Sequence, residues 1–154
     1  MTVAALITWL AAACGGLFMF AIWLIEYEHG TGGGPASRLP AAVVFGHVLL
    51  AAAGLVAWLG YLYGDDDRLA LTSLITLAAV AVLGLTMLRR WVSVYRDSTY
   101  SVRITAASSP ALAPTVVKVP AERNFPLAVV VGHGLFAGAT IVLVLLTVLG
   151  VGGS

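Results

Sequence analysis

Four apolar runs, at residues 3–25, 41–63, 69–88 and 127–149, leave this chain little choice of environment. Each is close to the roughly 20 residues that an α-helix needs to cross the hydrocarbon core of a bilayer. In that core the backbone has no water to bond, so an isolated span must satisfy its own N–H and C=O groups by coiling into a helix. Composition agrees: only 10% of the 154 residues are charged, 60% are hydrophobic, and the mean hydropathy is +1.01. A soluble domain carries about a quarter charged residues. The reading is an all-α integral membrane protein, one transmembrane domain over residues 1–154, folded as a four-helix up-and-down bundle. The first run has no basic head and is too long for a typical secretion signal, so it is expected to stay attached.

Orientation follows from the basic residues, because Lys and Arg near span ends are retained in the cytoplasm. Arg38 lies between the first two runs, and Arg89, Arg90, Arg96, Arg103, Lys118 and Arg123 lie between the last two. The opposite side has Arg68 alone, beside Asp65, Asp66 and Asp67. The expectation is a multi-pass protein of a bacterial-type plasma membrane, both termini outside, with loops 26–40 and 91–126 in the cytoplasm. In the longer loop TYSVRIT (99–105) alternates polar and apolar residues and PTVVKVP (114–120) could pair with it, which predicts a short β-hairpin.

The chain also repeats itself. LITWLAAACGGLFM (6–19) matches LITLAAVAVLGLTM (74–87) at eight of fourteen positions, and VVFGHVLLAAAGL (43–55) matches VVVGHGLFAGATI (129–141) at seven of thirteen. A duplicated two-helix hairpin would explain both, the second copy having a connecting loop 18 residues longer. Each copy has two spans, so the copies would be parallel repeats about an axis along the membrane normal.

The second repeat contains His47 and His133. Each stands six residues into its span, so the two imidazoles are expected at one depth. With short connections, spans two and four occupy diagonal corners of the bundle. Neighbouring helices 8–10 Å apart imply a diagonal of about 11–14 Å, across which two side chains reach toward each other. Ala51 and Gly54 on the face of His47, and Ala137 and Thr140 on the face of His133, are small enough to leave room for a flat cofactor. Gly46 and Gly132 would thin the helices beside the histidines. Arg89 and Arg90, or Arg38 in the first loop, would meet its carboxylates by charge-assisted hydrogen bonds. The arrangement resembles that of membrane b-type cytochromes, in which histidines from diagonal helices of a four-helix bundle clasp haem. That resemblance implies one bis-histidine haem b, with His47 and His133 as ligands to the iron, and electron transfer as the activity.

Other readings compete. Small residues and an occasional histidine also serve as contact surfaces between membrane helices, which would make the protein a non-catalytic scaffold or an accessory subunit of a larger complex. Gly134 and Gly138 form a GxxxG suited to such contact. A transporter, or a subunit binding a quinone or another small molecule, is a third, because ionisable residues inside a membrane usually serve a function. The partners expected are the lipid bilayer and either another membrane protein or a second copy of the chain. Cys14 is the sole cysteine, and CxxC, CxxCH, HExxH and glycine-rich nucleotide loops are missing from the sequence. Thioredoxin-like chemistry and covalent haem attachment are thereby excluded, and no stretch suits nucleic acid.

The charge asymmetry makes a prediction that labelling can check. A cysteine placed by Asp66→Cys should react with an impermeant thiol reagent added outside intact cells, whereas one placed by Ser101→Cys should be protected until the membrane is opened. The reverse pattern would invert the topology.

Overall fold

The computed structural model describes residues 1–28, 37–108 and 120–151, with residues 28 and 97–108 described by backbone alone. Four long helices account for most of them: α1 (Thr2–Glu28), α2 (Ala41–Gly64), α3 (Asp67–Ser108) and α4 (Leu127–Val148). All four are long and apolar enough to cross a membrane, α3 over Asp67–Arg96. The spans agree with the apolar runs to within a few residues, except that α3 starts at the aspartate turn and runs far beyond its apolar part.

The helix ends explain the polar punctuation. Pro40 and Pro126 precede α2 and α4 with nearly the same extended backbone (φ −63, ψ 129 and φ −64, ψ 128). Proline has no N–H to leave unsatisfied there, and its fixed φ suits a helix entrance. At the other end of α2 the three aspartates form a cap. Asp65 takes the left-handed conformation (φ 52, ψ 32) and returns its N–H to Tyr61 O at 2.8 Å. Asp66 Oδ1 accepts the N–H of Arg68 at 2.9 Å, and Asp67 places a negative charge in the first turn of α3. Helix starts favour both.

Beyond its apolar part α3 continues as helix to Ser108, so residues 99–105 are helical where alternation predicts a strand. The cost of starting a helix has already been met in the membrane, and extending one is far easier than nucleating a two-stranded sheet in water. The other predicted strand, at 114–120, falls almost entirely outside the described residues.

The helices form a ring in chain order. α2 packs closely along α3 and α1 along α4, while α3 with α4 and α1 with α2 meet along looser seams. α2 and α4 are therefore diagonal, as up-and-down topology requires. The interior has two apolar layers. Near the aspartate turn, Ala5, Trp9, Trp58, Ala70, Leu77 and Val144 pack together; near the arginine-rich end, Trp23, Leu39, Val44 and Ala121 do so.

Positions equivalent under the sequence repeat make like contacts, and the correspondence extends beyond the aligned segments. A shift of 68 carries Trp23 and Tyr27 onto Trp91 and Tyr95, and both pairs stack, with centroids 4.9 and 5.2 Å apart. The same shift carries Ala5 onto Ser73, both fully buried. Ser73 Oγ has no hydrogen-bond partner. A buried unpaired hydroxyl costs more than the methyl that its counterpart carries. Ser73→Ala should thus stabilise the bundle by about 1 kcal/mol in detergent unfolding titrations; a loss of stability would show that the hydroxyl has a partner.

Candidate functional site

His47 and His133 meet in the middle of the bundle. Their ring centroids are 6.2 Å apart and the ring planes are inclined by 56°. The shared depth expected from the sequence is therefore present, and the wide diagonal between helices is bridged by two inward side chains.

Each ring is fixed by a helix carbonyl on the neighbour that its own helix packs against most closely. His47 Nδ1–H donates to Val80 O on α3 at 3.0 Å, and His133 Nδ1–H donates to Ala12 O on α1 at 2.8 Å. Ala12 and Val80 are equivalent under the shift of 68, as His47 and His133 are under the shift of 86. The same contact is thus made twice. A carbonyl oxygen only accepts, so the proton must be on Nδ1; in a neutral imidazole that leaves the lone pair on Nε2. Neither Nε2 has a hydrogen-bond partner among the described residues.

Glycines on the helices beside them admit the rings. A Cβ added at Gly16 would come within 3.0 Å of His133 Cε1, and one at Gly84 within 3.2 Å of His47 Cε1. These two glycines are again equivalent by the shift of 68. Gly15 brings α1 close to α4 at the same level, where a Cβ would lie 3.4 Å from His133 Cβ. Gly46 and Gly132, next to the histidines in sequence, do not perform this role: at Gly46 the nearest atom would be Leu83 Cδ1 at 3.8 Å, and at Gly132 there is open space. Gly134 and Gly138 face open space as well.

The other expected residues are distributed over three levels. Ala51 and Ala137 are half-buried, one helical turn from the histidines. Gly54 and Thr140 are buried but lie two turns away in the packed layer. The room expected at Gly54 is taken by Thr76 Oγ1 and Trp9 Cη2, at 3.1 and 3.3 Å from an added Cβ. Thr140 Oγ1 lies 2.9 Å from Thr8 Oγ1 and also bonds Phe136 O. Threonine thus occupies in one half the position that glycine occupies in the other, facing Thr8 and Thr76 respectively. Arg89 and Arg90 are exposed at the arginine-rich end, where Arg90 Nη1 donates to Arg38 O at 3.0 Å.

Both imidazoles remain half-buried although they are central, whereas Trp58 and Val144 in the layer above them are sealed. Toward the arginine-rich end the aromatic rings of Phe20, Trp23 and Phe45 close the seam between α1 and α2, with centroids 5.6–6.1 Å apart. Below them a buried carboxylate ties the loops together. Glu122 accepts from Ser37 Oγ at 2.9 Å and from the N–H of Arg38 at 2.7 Å, and Ser37 Oγ accepts from Trp23 Nε1 and from the N–H of Leu39. Among the described residues no group of three or more His, Cys, Asp and Glu is placed to hold a metal. At the end of α1, Glu26 accepts from Asn124 Nδ2 at 3.1 Å.

No protein-family model matches the chain, and neither the curated proteins nor the solved structures contain one with significant similarity to it.

The glycines yield a test of the geometry. Gly16→Leu and Gly84→Leu should each destabilise the bundle by about 1–3 kcal/mol by overpacking against an imidazole. Gly134→Leu, which meets nothing, should stay within about 0.5 kcal/mol of the wild type. Unfolding titrations in micelles distinguish the two groups.

Proposed function

We propose that the protein is a small cytochrome-like membrane subunit that holds one b-type haem between His47 and His133 and passes electrons through it. The observation that carries this reading is the matched state of the two imidazoles: each has its Nδ1–H committed to a backbone carbonyl and its Nε2 without a partner. Histidines that bind metals characteristically donate their second ring nitrogen to a carbonyl or carboxylate, which fixes the tautomer and raises ligand basicity.

Spacing supports the same reading. An imidazole nitrogen binds a transition metal at about 2.0–2.1 Å, so two rings on opposite faces of one ion have centroids about 6 Å apart. The observed 6.2 Å is in that range. Gly16 and Gly84 give the two imidazoles the room they occupy against α1 and α3. Among the described residues no third His, Cys, Asp or Glu joins the two imidazoles, which would suit an ion held mainly by a porphyrin.

In this reading the haem supplies a one-electron couple, and the chain does the rest. Val80 O and Ala12 O hold the rings in one tautomer. Trp9, Trp58 and Val144 on one side, and Phe20, Trp23 and Phe45 on the other, bracket the middle layer with apolar side chains. Packing alone, as in a scaffold or accessory subunit, explains the two carbonyl bonds but gives no use to the paired Nε2 atoms.

The experiment is spectroscopic. Full-length protein from haem-replete cells should be coloured, with a low-spin spectrum that sharpens on reduction. His47→Ala or His133→Ala should open one axial position and shift the spectrum toward high spin, and the double substitution should remove the colour. Folded protein without Soret absorption would defeat the reading. The histidine substitutions would then cost only about 0.6–1.7 kcal/mol each for the lost interhelical bond.

A further inference from the structure

Among the described residues three buried side-chain polar atoms have no hydrogen-bond partner: Trp58 Nε1, Ser73 Oγ and Trp91 Nε1. The first two belong to the layer near the aspartate turn. Trp91 is alone at the arginine-rich end, 7% exposed, on the same helix as Val80 and Gly84. An unpaired buried indole N–H costs about 1–3 kcal/mol, which a partner would recover.

The repeat shows what is missing. Trp91 corresponds to Trp23, whose Nε1–H donates to Ser37 Oγ at 2.9 Å. Under the shift of 86 the position equivalent to Ser37 is Arg123, which is exposed and carries no acceptor. One half of the bundle thus supplies its tryptophan with a hydroxyl backed by the Glu122 carboxylate, and the other half leaves its tryptophan unsatisfied.

Depth identifies the acceptor. Trp91 lies seven residues beyond Gly84, which backs the ring of His47, a distance of about 10.5 Å along the helix. A molecule held at the imidazoles and bonded by Trp91 must reach about that far toward the arginine-rich end and finish in a hydrogen-bond acceptor. A haem ligated at its centre carries two propionate carboxylates on one edge. Arg89 and Arg90, the two preceding residues, make that end of the bundle electropositive. An N–H donated to a carboxylate is a stronger bond than one to a neutral acceptor.

We infer that Trp91 Nε1 donates a hydrogen bond to a haem propionate, so that the porphyrin is oriented with its carboxylates toward the arginine-rich end and beside α3. This inference rests on the haem reading above, and it makes Trp91 a cofactor-binding residue in addition to the two histidines.

The test uses the full chain in nanodiscs, loaded with haem or with iron etioporphyrin, which has the same ring and iron but no carboxylates. Haem loss to excess apomyoglobin, followed in the Soret band, should be about tenfold faster in Trp91→Phe than in wild type. With iron etioporphyrin the two proteins should lose cofactor at the same rate. Equal rates with haem, or the same acceleration with both porphyrins, would overturn the role of Trp91 while leaving the histidine site intact. Absence of Soret absorption in both proteins would defeat the haem reading itself. If Trp91→Phe fails to assemble, the indole N–H resonance of Trp91 in the wild type answers the question. It should shift on loading with haem relative to iron etioporphyrin, and an unchanged resonance would overturn the inference.

Discussion

The interior is organised around one hydrogen bond made twice, from a histidine Nδ1–H to a helix carbonyl. Inside a bilayer an imidazole cannot leave both nitrogens to water, and the only abundant acceptors are carbonyls already engaged in their own helix. A carbonyl has a second lone pair, however, and the bonds to Val80 O and Ala12 O use it. Each bond joins a closely packed pair, α2 with α3 or α4 with α1, and neither crosses to the other pair. What faces across the bundle is therefore two oriented rings, 6.2 Å apart, that do not bond each other.

The two halves agree most where this contact is made and diverge toward the ends. Ala12 and Val80, Gly16 and Gly84, and His133 and His47 are equivalent in both sequence position and role. Two turns toward the aspartate end, Thr140 faces Thr8 where Gly54 faces Thr76, and one turn further Val144 and Ala5 are replaced by Trp58 and Ser73. The volumes compensate: glycine in one half leaves space for Trp9, and the large Trp58 is offset by the smaller Val144. Close packing tolerates such exchanges when total volume is kept. The middle layer shows no such exchange at the glycines, because a methyl at either would press on an imidazole.

Much of the architecture was legible in the sequence. Spans, diagonal placement and equal histidine depth follow from run lengths and connection lengths. The identity of the inward glycines was not legible, for a physical reason. A helix apolar on all sides has no polar face to mark its outside, so periodicity could not show that Gly132, Gly134 and Gly138 face open space and Gly46 only Leu83, while Gly16 and Gly84 face the imidazoles. The repeat did contain that signal: glycines at 16 and 84 align, and extending the alignment would have reached Trp23 with Trp91 and Tyr27 with Tyr95. Glu122 was missed because a carboxylate in a basic loop looks solvated. Only the fold brings Ser37 and the Arg38 N–H to it. The strand expected at 99–105 failed because alternation in a short polar segment is weaker than the tendency of an established helix to continue.

Departure from symmetry at the arginine-rich end bears on any ligand between the histidines. A pair of equivalent imidazoles makes the two faces of a planar ligand alike, so the middle layer cannot determine which edge points where. The ends can. One indole N–H is consumed by Ser37 Oγ, which itself donates to the buried Glu122, whose negative charge makes that corner unfavourable for a carboxylate; the equivalent indole at Trp91, which follows Arg89 and Arg90 in the chain, is left without a partner. At the opposite end the unpaired Trp58 and Ser73 are sealed within an apolar layer that has no basic residue, and desolvating a carboxylate there would cost far more than two neutral hydrogen bonds return. In the haem reading, a ligand with an apolar body and an anionic edge would be oriented by desolvation at one end and by a donor at the other, while the symmetric histidines would fix only its position.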